Sequence, residues 1–295
     1  MDDDATYEDT HNDEPVVCSF GTMQDDGIWF NNGDPAGNIM AGIVWLLILY
    51  SVLTVLMLAQ HGHVSVFIAA VYCTVCALAL ASHAKTTFTD PGSVPSGAIP
   101  FDTGRQYHAV CAACQTYKPP CAHHCRICNR CISRMDHHCP WMNNCIGQCN
   151  MKHFILFLVY TWTGSIFCLI IFVVNYFFCS RDDCEFGLVE TQLVRTMAVI
   201  TLGALLFTSS MLMNVVYIIV TGIGTIDRLK MKADDTWHNA DQSSMDLEVI
   251  FGIQGLWSWW LPIDPLFRDF DRVVGFSTRQ RLLRERSTIT SQLEV

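Results

Sequence analysis

Charge is scarce in this sequence. Only 16% of its 295 residues are Asp, Glu, Lys or Arg, against roughly 25% in a soluble globular domain. Four stretches have no charged residue at all: 39–59, 64–81, 154–178 and 196–220. Lys and Arg are also missing from the first 38 residues and from the turn at 60–63. There is no long basic stripe, which argues against a nucleic-acid partner. No P-loop, internal repeat or apolar leader is apparent, the first residues being acidic and polar.

The charge-free runs fix the fold class. About 20 apolar residues cross a bilayer core as a helix, and backbone in lipid must satisfy its own hydrogen bonds. The second run is short and is expected to extend to His83. The alternative, four buried helices of a large soluble core, lacks the amphipathic helices needed to cover them. Orientation follows from the basic residues. Seven of the 18 lie between the second and third runs and nine follow the fourth, whereas Arg181 and Arg195 alone fall between the third and fourth. Four crossings put both termini and the long middle segment on one side. That side holds 16 of the 18 basic residues and is therefore predicted to be cytosolic.

What the chain has in abundance is cysteine: 15 in all, eight of them between Cys111 and Cys145. In reducing cytosol such a cluster reads as metal or thiolate chemistry rather than disulfides. Cys179 and Cys184, on the opposite side, could pair. The cluster offers Cys111-x2-Cys114, then Lys118-Pro119-Pro120 and Cys121, then His123-His124-Cys125-x2-Cys128-x2-Cys131, then Asp136-His137-His138-Cys139-Pro140-Trp141 and Cys145. Tetrahedral zinc takes four Cys or His ligands, often presented as C-x-x-C turns. There are ligands for two such sites, and spacing alone does not say which ligands pair. The segment has few large aliphatics, so metal would supply its folding energy. Two sites would absorb six cysteines and two histidines. Cys139 directly follows a carboxylate and imidazoles, an order suited to a nucleophile, its base and an orienting group. A free thiol has a pKa near 8.5 and needs that help at neutral pH. Adjacent histidines are also common zinc ligands, so the triplet alone leaves both roles open.

The predicted fold is a membrane all-α protein, four transmembrane helices with a cytosolic two-zinc cysteine-rich module between helices 2 and 3. Residues 1–38 form an acidic cytosolic tail expected to be disordered. Residues 39–83 carry helices 1 and 2, and 84–153 the zinc module. Residues 154–220 carry helices 3 and 4 with a lumenal loop. Residues 221–295 form a cytosolic tail whose Trp257, Trp259 and Trp260 suit the membrane interface or packing against the module. The last residues, Leu293-Glu294-Val295, have the form of a PDZ-domain ligand.

The run Asp136-His137-His138-Cys139 inside this cysteine frame, followed by Pro140-Trp141-Met142-Asn143-Asn144-Cys145-Ile146-Gly147, resembles the DHHC family of protein palmitoyltransferases. The resemblance is close over about 90–154 and includes Thr89-Asp90-Pro91-Gly92, Asn150 and Phe154. It extends loosely over all four helices, and the wording is most like the Golgi-located subgroup. The resemblance implies a two-step protein-cysteine S-palmitoyltransferase. Cys139 would be acylated by acyl-CoA and then pass the chain to cytosolic cysteines of membrane-associated protein substrates. It implies one structural Zn2+ on Cys111, Cys114, His124 and Cys131 and another on Cys125, Cys128, His138 and Cys145. It makes His137 the general base and Asp136 its partner, with Trp141 near the thioester and Lys118 toward the CoA phosphates. It also implies a multi-pass protein of the Golgi or another endomembrane.

In the family a helix 3 position, Gly164 here, helps set the depth of the acyl cavity; ordinary small-residue helix packing accounts for it equally well. The chain departs from the family at three places. Cys121 replaces an Arg, shifting phosphate contacts to Lys118 and to Arg126 or Arg130. Gly224-Thr225-Ile226-Asp227 replaces Thr-Thr-x-Glu, and Asp246 replaces an Asn before Phe251-Gly252. Two readings compete with an enzyme. A zinc-stabilised membrane adaptor would have no need of a spare thiol beside an imidazole. A zinc transporter would need ionisable residues along its helices, which offer only His83 at one end.

Overall fold

Four long helices dominate the computed structural model, which describes residue 31 and residues 33–100, 109–177, 187–235 and 244–278. They are α1 (Pro35–Gln60), α2 (Val66–Phe88), α3 (Met151–Phe177) and α4 (Leu188–Thr221). Each is long and apolar enough to cross a membrane, yet only 17–33% of each apolar window is buried inside the protein. The outward faces carry Leu46, Leu53, Phe67, Val199 and Leu206. A soluble core would have covered these side chains, so the buried-helix alternative fails and lipid is the solvent they fit. Inside the bundle, Thr54, Thr86 and Thr208 return their hydroxyls to carbonyls four residues back, which satisfies buried polar atoms where water is absent.

Between α2 and α3 the chain makes a module of short hairpins. Strands β2 (His123–Cys125) and β3 (Arg130–Ile132) pair antiparallel, as do β4 (His137–Cys139) and β5 (Asn144–Ile146). Strand β1 (Ala98–Pro100) pairs with β6 (Phe276–Thr278) near the end of the described chain. The architecture is mostly helical as predicted; these ribbons are an addition to it. After α4 come α5 (Thr225–Ala233) and three one-turn helices: α6 (Glu248–Phe251), α7 (Leu256–Trp259) and α8 (Phe270–Val274). Cys179, Cys184 and the Leu293-Glu294-Val295 terminus lie outside the described residues, as do residues 1–30.

Side-chain amides fasten the module to α2. A helix leaves its last carbonyls unpaired. Asn144 Nδ2 donates to the carbonyls of Thr86, Thr87 and Thr89, and Asn150 Nδ2 to those of Thr86 and Cys145. Asp90 closes the following turn by accepting from the Gly92 and Ser93 amides. The C-terminal segment clamps the other side. Ser133 Oγ donates to the Val274 carbonyl at 2.6 Å. The fully buried Lys152 donates to the Ile263 carbonyl at 2.9 Å. Asp264 receives Lys85 at 2.8 Å and lies 3.0 Å from His153.

One sequence boundary moves. Helix α1 begins at Pro35 rather than near 39, and Asn31, Asp34 and Asn38 pack on the module. Proline suits the first helical position, and the contacts that order this stretch come from more than 90 residues away. The expected disordered tail therefore does not extend to residue 38.

Gly147 sits where the module meets the Asp90 turn. A Cβ there would lie 2.5 Å from Ile132 Cγ2 and 2.5 Å from the Pro91 carbonyl oxygen. Gly147→Ala is expected to cost about 1–3 kcal/mol, as overpacking of a tight site does. The loss would be read as a lower thermal midpoint of the detergent-solubilised protein. Gly97→Ala, with no atom within 4 Å of the added carbon, should leave the midpoint unchanged.

Candidate active site

Eight ligand-type side chains gather into two groups of four. One is Cys111, Cys114, His124 and Cys131; the other is Cys125, Cys128, His138 and Cys145. In each, the four candidate atoms lie within 4.8 Å of one another. The edges of these groups test their fit to a metal. Zn–S of about 2.3 Å and Zn–N of about 2.05 Å at tetrahedral angles require edges of about 3.8 Å (S···S) and about 3.6 Å (S···N). In the second group His138 Nδ1 lies 3.7, 3.4 and 3.6 Å from the sulfurs of Cys125, Cys128 and Cys145, and Cys128 lies 3.5 Å from Cys145. In the first, His124 Nδ1 lies 3.7 and 3.2 Å from Cys111 and Cys114, and Cys114 lies 3.8 Å from Cys131. Both groups can hold a tetrahedral ion of zinc's size, in the pairing that the family resemblance implies.

Strand geometry explains the sorting. Successive side chains on a strand point to opposite faces. In β2, His124 turns to the first group while Cys125 turns to the second. In β4, His138 turns to the second group beside its cross-strand partner Cys145. His137 and Cys139 must then share the other face.

On that face stands a carboxylate–imidazole–thiol series. Asp136 Oδ2 lies 2.8 Å from His137 Nδ1, and Asp136 is only 3% exposed. Its other oxygen accepts the Thr225 backbone N–H at 2.9 Å. Burial works against the Asp136 carboxylate, but hydrogen bonds from His137 and Thr225 overcome it and hold the pKa below the ordinary value. Burial likewise opposes the His137 imidazolium, yet hydrogen bonds to Asp136 and the Cys139 thiol raise its pKa to about 9. With Nδ1 given to Asp136, Nε2 is the ring atom left for the thiol. Such a series can take a proton from a thiol and hold it as imidazolium.

The surroundings of Cys139 are apolar. It is buried among Met142, Phe154, Phe157 and Trp141. Phe157 and Trp141 also line a cavity of about 410 Å³ between the four helices, with Ile48, Tyr72, Gly164 and Phe207. A Cβ on Gly164 would meet only Val75 Cγ1, at 3.7 Å. Open space, rather than tight helix packing, is what this glycine leaves.

His83 and His123 take places around the site that the sequence did not assign them. His83 of α2 is buried beneath Trp141. Trp45 Nε1 donates to its Nδ1 at 3.1 Å, so Nε2 carries the proton and donates to the Trp141 carbonyl at 2.9 Å. His123 lies 2.8 Å from Asp227 Oδ1 and 3.0 Å from Lys230 Nζ, tying α5 to β2. Asp246 opens α6 by accepting from the Glu248 amide. Lys118 is half-buried beside the first group, its amide bonded to the Ala109 carbonyl. Cys121 is exposed at a left-handed φ of 60°. Arg126 is exposed, but Arg130 is buried with Nε on the Cys128 carbonyl. Arg130 is therefore not a surface contact for phosphate.

A buried thiol beside a half-buried imidazole, packed with residues that line an apolar chamber and flanked by metal-fitting groups, defines a membrane-bound thiol acyltransferase as the class. A sequence model described as DHHC palmitoyltransferase matches residues 105–232. Palmitoyltransferase ZDHHC3 of Homo sapiens is 33% identical over 265 residues, covering 84% of this chain and 86% of its own. Palmitoyltransferase ZDHHC7 of Mus musculus is 30% identical over 291 residues, covering 93% and 90%. Probable protein S-acyltransferase 16 of Arabidopsis thaliana is 34% identical over 116 residues, covering 36% and 41%. The chain belongs to the DHHC palmitoyltransferase family and is a protein S-palmitoyltransferase.

Thr225 offers a clean test of the series. It is the first residue of α5, after Gly224 at φ −65° and ψ 162°, a position and a preceding conformation that both accept proline. Thr225→Pro keeps the helix but removes from Asp136 both the N–H and the hydroxyl, which also accepts from Asn214 Nδ2. A hydrogen bond to a charged group contributes about 1.5–3 kcal/mol, so acylation roughly 10- to 100-fold slower is expected. Thr225→Ser should stay near wild type. Equal rates for both variants in a purified acyl-transfer assay would remove Thr225 from the site.

Proposed function

We propose that this chain moves a fatty acyl group from acyl-CoA to Cys139, and from Cys139 to cysteine thiols of membrane-associated proteins. The observation that supports this most is the division of β4. With His138 committed to a metal group, His137 and Cys139 lie on the opposite face, against the aromatic residues that line the cavity.

In the first step His137 takes the proton of Cys139, and the thiolate sulfur attacks the thioester carbon of acyl-CoA. The carbon–sulfur bond to CoA breaks, and the CoA thiolate leaves with the proton from His137. In the second step His137 takes the proton of an incoming cysteine, whose sulfur attacks the acyl-Cys139 thioester. Cys139 leaves as thiolate and recovers that proton. No electrons are gained or lost overall. Asp136 stabilises the imidazolium in both steps and holds the ring with Nε2 toward the thiol. Trp141 and Phe157 keep water from the thioester, and the cavity takes the acyl chain, with Gly164 leaving room for long ones. Lys118 and Arg126 meet the CoA phosphates. Two Zn2+ ions, held by Cys111, Cys114, His124 and Cys131 and by Cys125, Cys128, His138 and Cys145, supply rigidity to the hairpins. Four protein ligands would fill a tetrahedral ion at each group and leave no position for substrate.

The excess of Lys and Arg in the middle and C-terminal segments supports a cytosolic site, with both termini on that side. The likeness to the Golgi-located subgroup supports an endomembrane address. The terminal Leu293-Glu294-Val295 is suited to adding a strand to a PDZ domain.

Purified protein incubated with a clickable acyl-CoA should gain hydroxylamine-sensitive label, and Cys139→Ser should gain none while keeping its zinc. Equal label on both would overturn the assignment of Cys139. Gly164→Leu is expected to shift preference toward shorter acyl-CoAs when chain lengths compete in one reaction. An unchanged preference would separate this glycine from chain selection.

A further inference from the structure

The residues just ahead of α1 carry polar groups that face the second metal group from outside. Asp34 is the N-cap of α1, where an aspartate normally accepts from the helix's own first amides. Here it makes no such bond. Its carboxylate lies over Gly37 in the first turn without bonding a helix amide, and Oδ2 is 3.2 Å from His138 Nε2. This is the ring nitrogen opposite the one that faces the three sulfurs. Asn31 adds a second contact: its Nδ2 donates to Cys128 Sγ at 3.7 Å. Asn143, buried four residues after Cys139 at a left-handed φ of 49°, donates from Nδ2 to the Asn31 carbonyl and to Asn38 Oδ1, both at 2.8 Å. Gly37 makes room for the whole arrangement. A Cβ there would stand 2.5 Å from Asn143 Oδ1 and 2.6 Å from Asp34 Oδ2.

We infer that residues 31 and 33–38 form an outer shell of the second metal site, in which Asp34 is a positioning residue for the ligand His138. The inference rests on the reading that this group holds zinc. A metal-ligating histidine nearly always donates its other N–H to a carboxylate or carbonyl, which fixes the tautomer and strengthens the ligand. Asp34 supplies that acceptor, so Nε2 keeps the proton and Nδ1 stays free for the metal. Three thiolates around a dication carry one net negative charge, and the Asn31 amide donated to Cys128 offsets part of it. The same residues lead directly into α1. The first membrane helix is thereby joined to the hairpin that presents Cys139.

The test measures zinc retention in the full-length purified protein, first as metal equivalents by elemental analysis, then as release to a chromogenic chelator. Wild type should carry two equivalents and release both slowly. In Asp34→Ala one equivalent should leave about 10- to 100-fold faster, the loss typical of an outer-shell partner, and the other at the wild-type rate. Asp34→Ser separates this from helix capping, since serine is as good an N-cap but has no carboxylate to reach His138. It should behave like Asp34→Ala, and Asp34→Glu should restore part of the retention. Gly37→Ala should also release one equivalent faster, although it removes no polar group. Asp34→Ser holding both equivalents as wild type does would overturn the inference. So would equal acceleration of both equivalents, which would mark a general loss of structure. A wild-type protein with fewer than two equivalents would overturn the zinc reading itself, and this inference with it.

Discussion

The arrangement of this protein depends on a constraint three residues long. In β4, neighbouring side chains must point to opposite faces. Once His138 is held by three sulfurs, the rotation of the strand is set, and His137 and Cys139 have one direction left to face. The adjacent histidines that looked interchangeable in sequence are thus given different work by the pleat alone. The module around them has little apolar material of its own; one cluster packed there is built largely from Cys125, Cys128 and Cys145, and the other sets Cys111 and Cys131 among Val94, Ala98, Ala122, Val274 and Phe276. A metal ion in each group would replace a hydrophobic core as the source of stiffness, and stiffness would keep the thiol aligned with the neighbouring imidazole.

A fatty thioester imposes a second requirement, because its two ends prefer different solvents. The helices meet it by exposing apolar faces to lipid on the outside while leaving an apolar chamber between them. The module sits on the helix ends, fastened by Asn144 and Asn150 to carbonyls that α2 cannot bond itself. Cys139 therefore lies where the module meets the helices. His83 reinforces the join from within α2, bonding the carbonyl of Trp141, which lines the chamber.

Much of this was legible in the sequence, and the failures have a common cause. Charge-free runs reveal membrane helices because lipid acts on every residue of a span. Cysteine spacing reveals metal groups because their ligands lie close along the chain. Contacts between distant segments leave no such local mark. His83 and Trp141 are separated by 58 positions, Thr225 and Asp136 by 89, and Asp34 and His138 by 104. Asp34 was hidden further by its setting, one acid among ten in the first 34 residues. Arg130 misled for the opposite reason: a surface-type residue in a polar run, it turns inward to a carbonyl. Gly164 had two readings until its neighbours were known, and the space around it favours one.

The buried Lys152 gives the C-terminal segment a standing that its polar, irregular sequence does not suggest. Its ammonium group is shut away from water with the Ile263 carbonyl as its hydrogen-bond acceptor. Cutting the chain ahead of that carbonyl would strand a cation in a poorly solvated place, a change that costs several kcal/mol when a buried charge loses its partner. The stretch around Ile263 is in this sense a keystone of the module rather than an appendage to it.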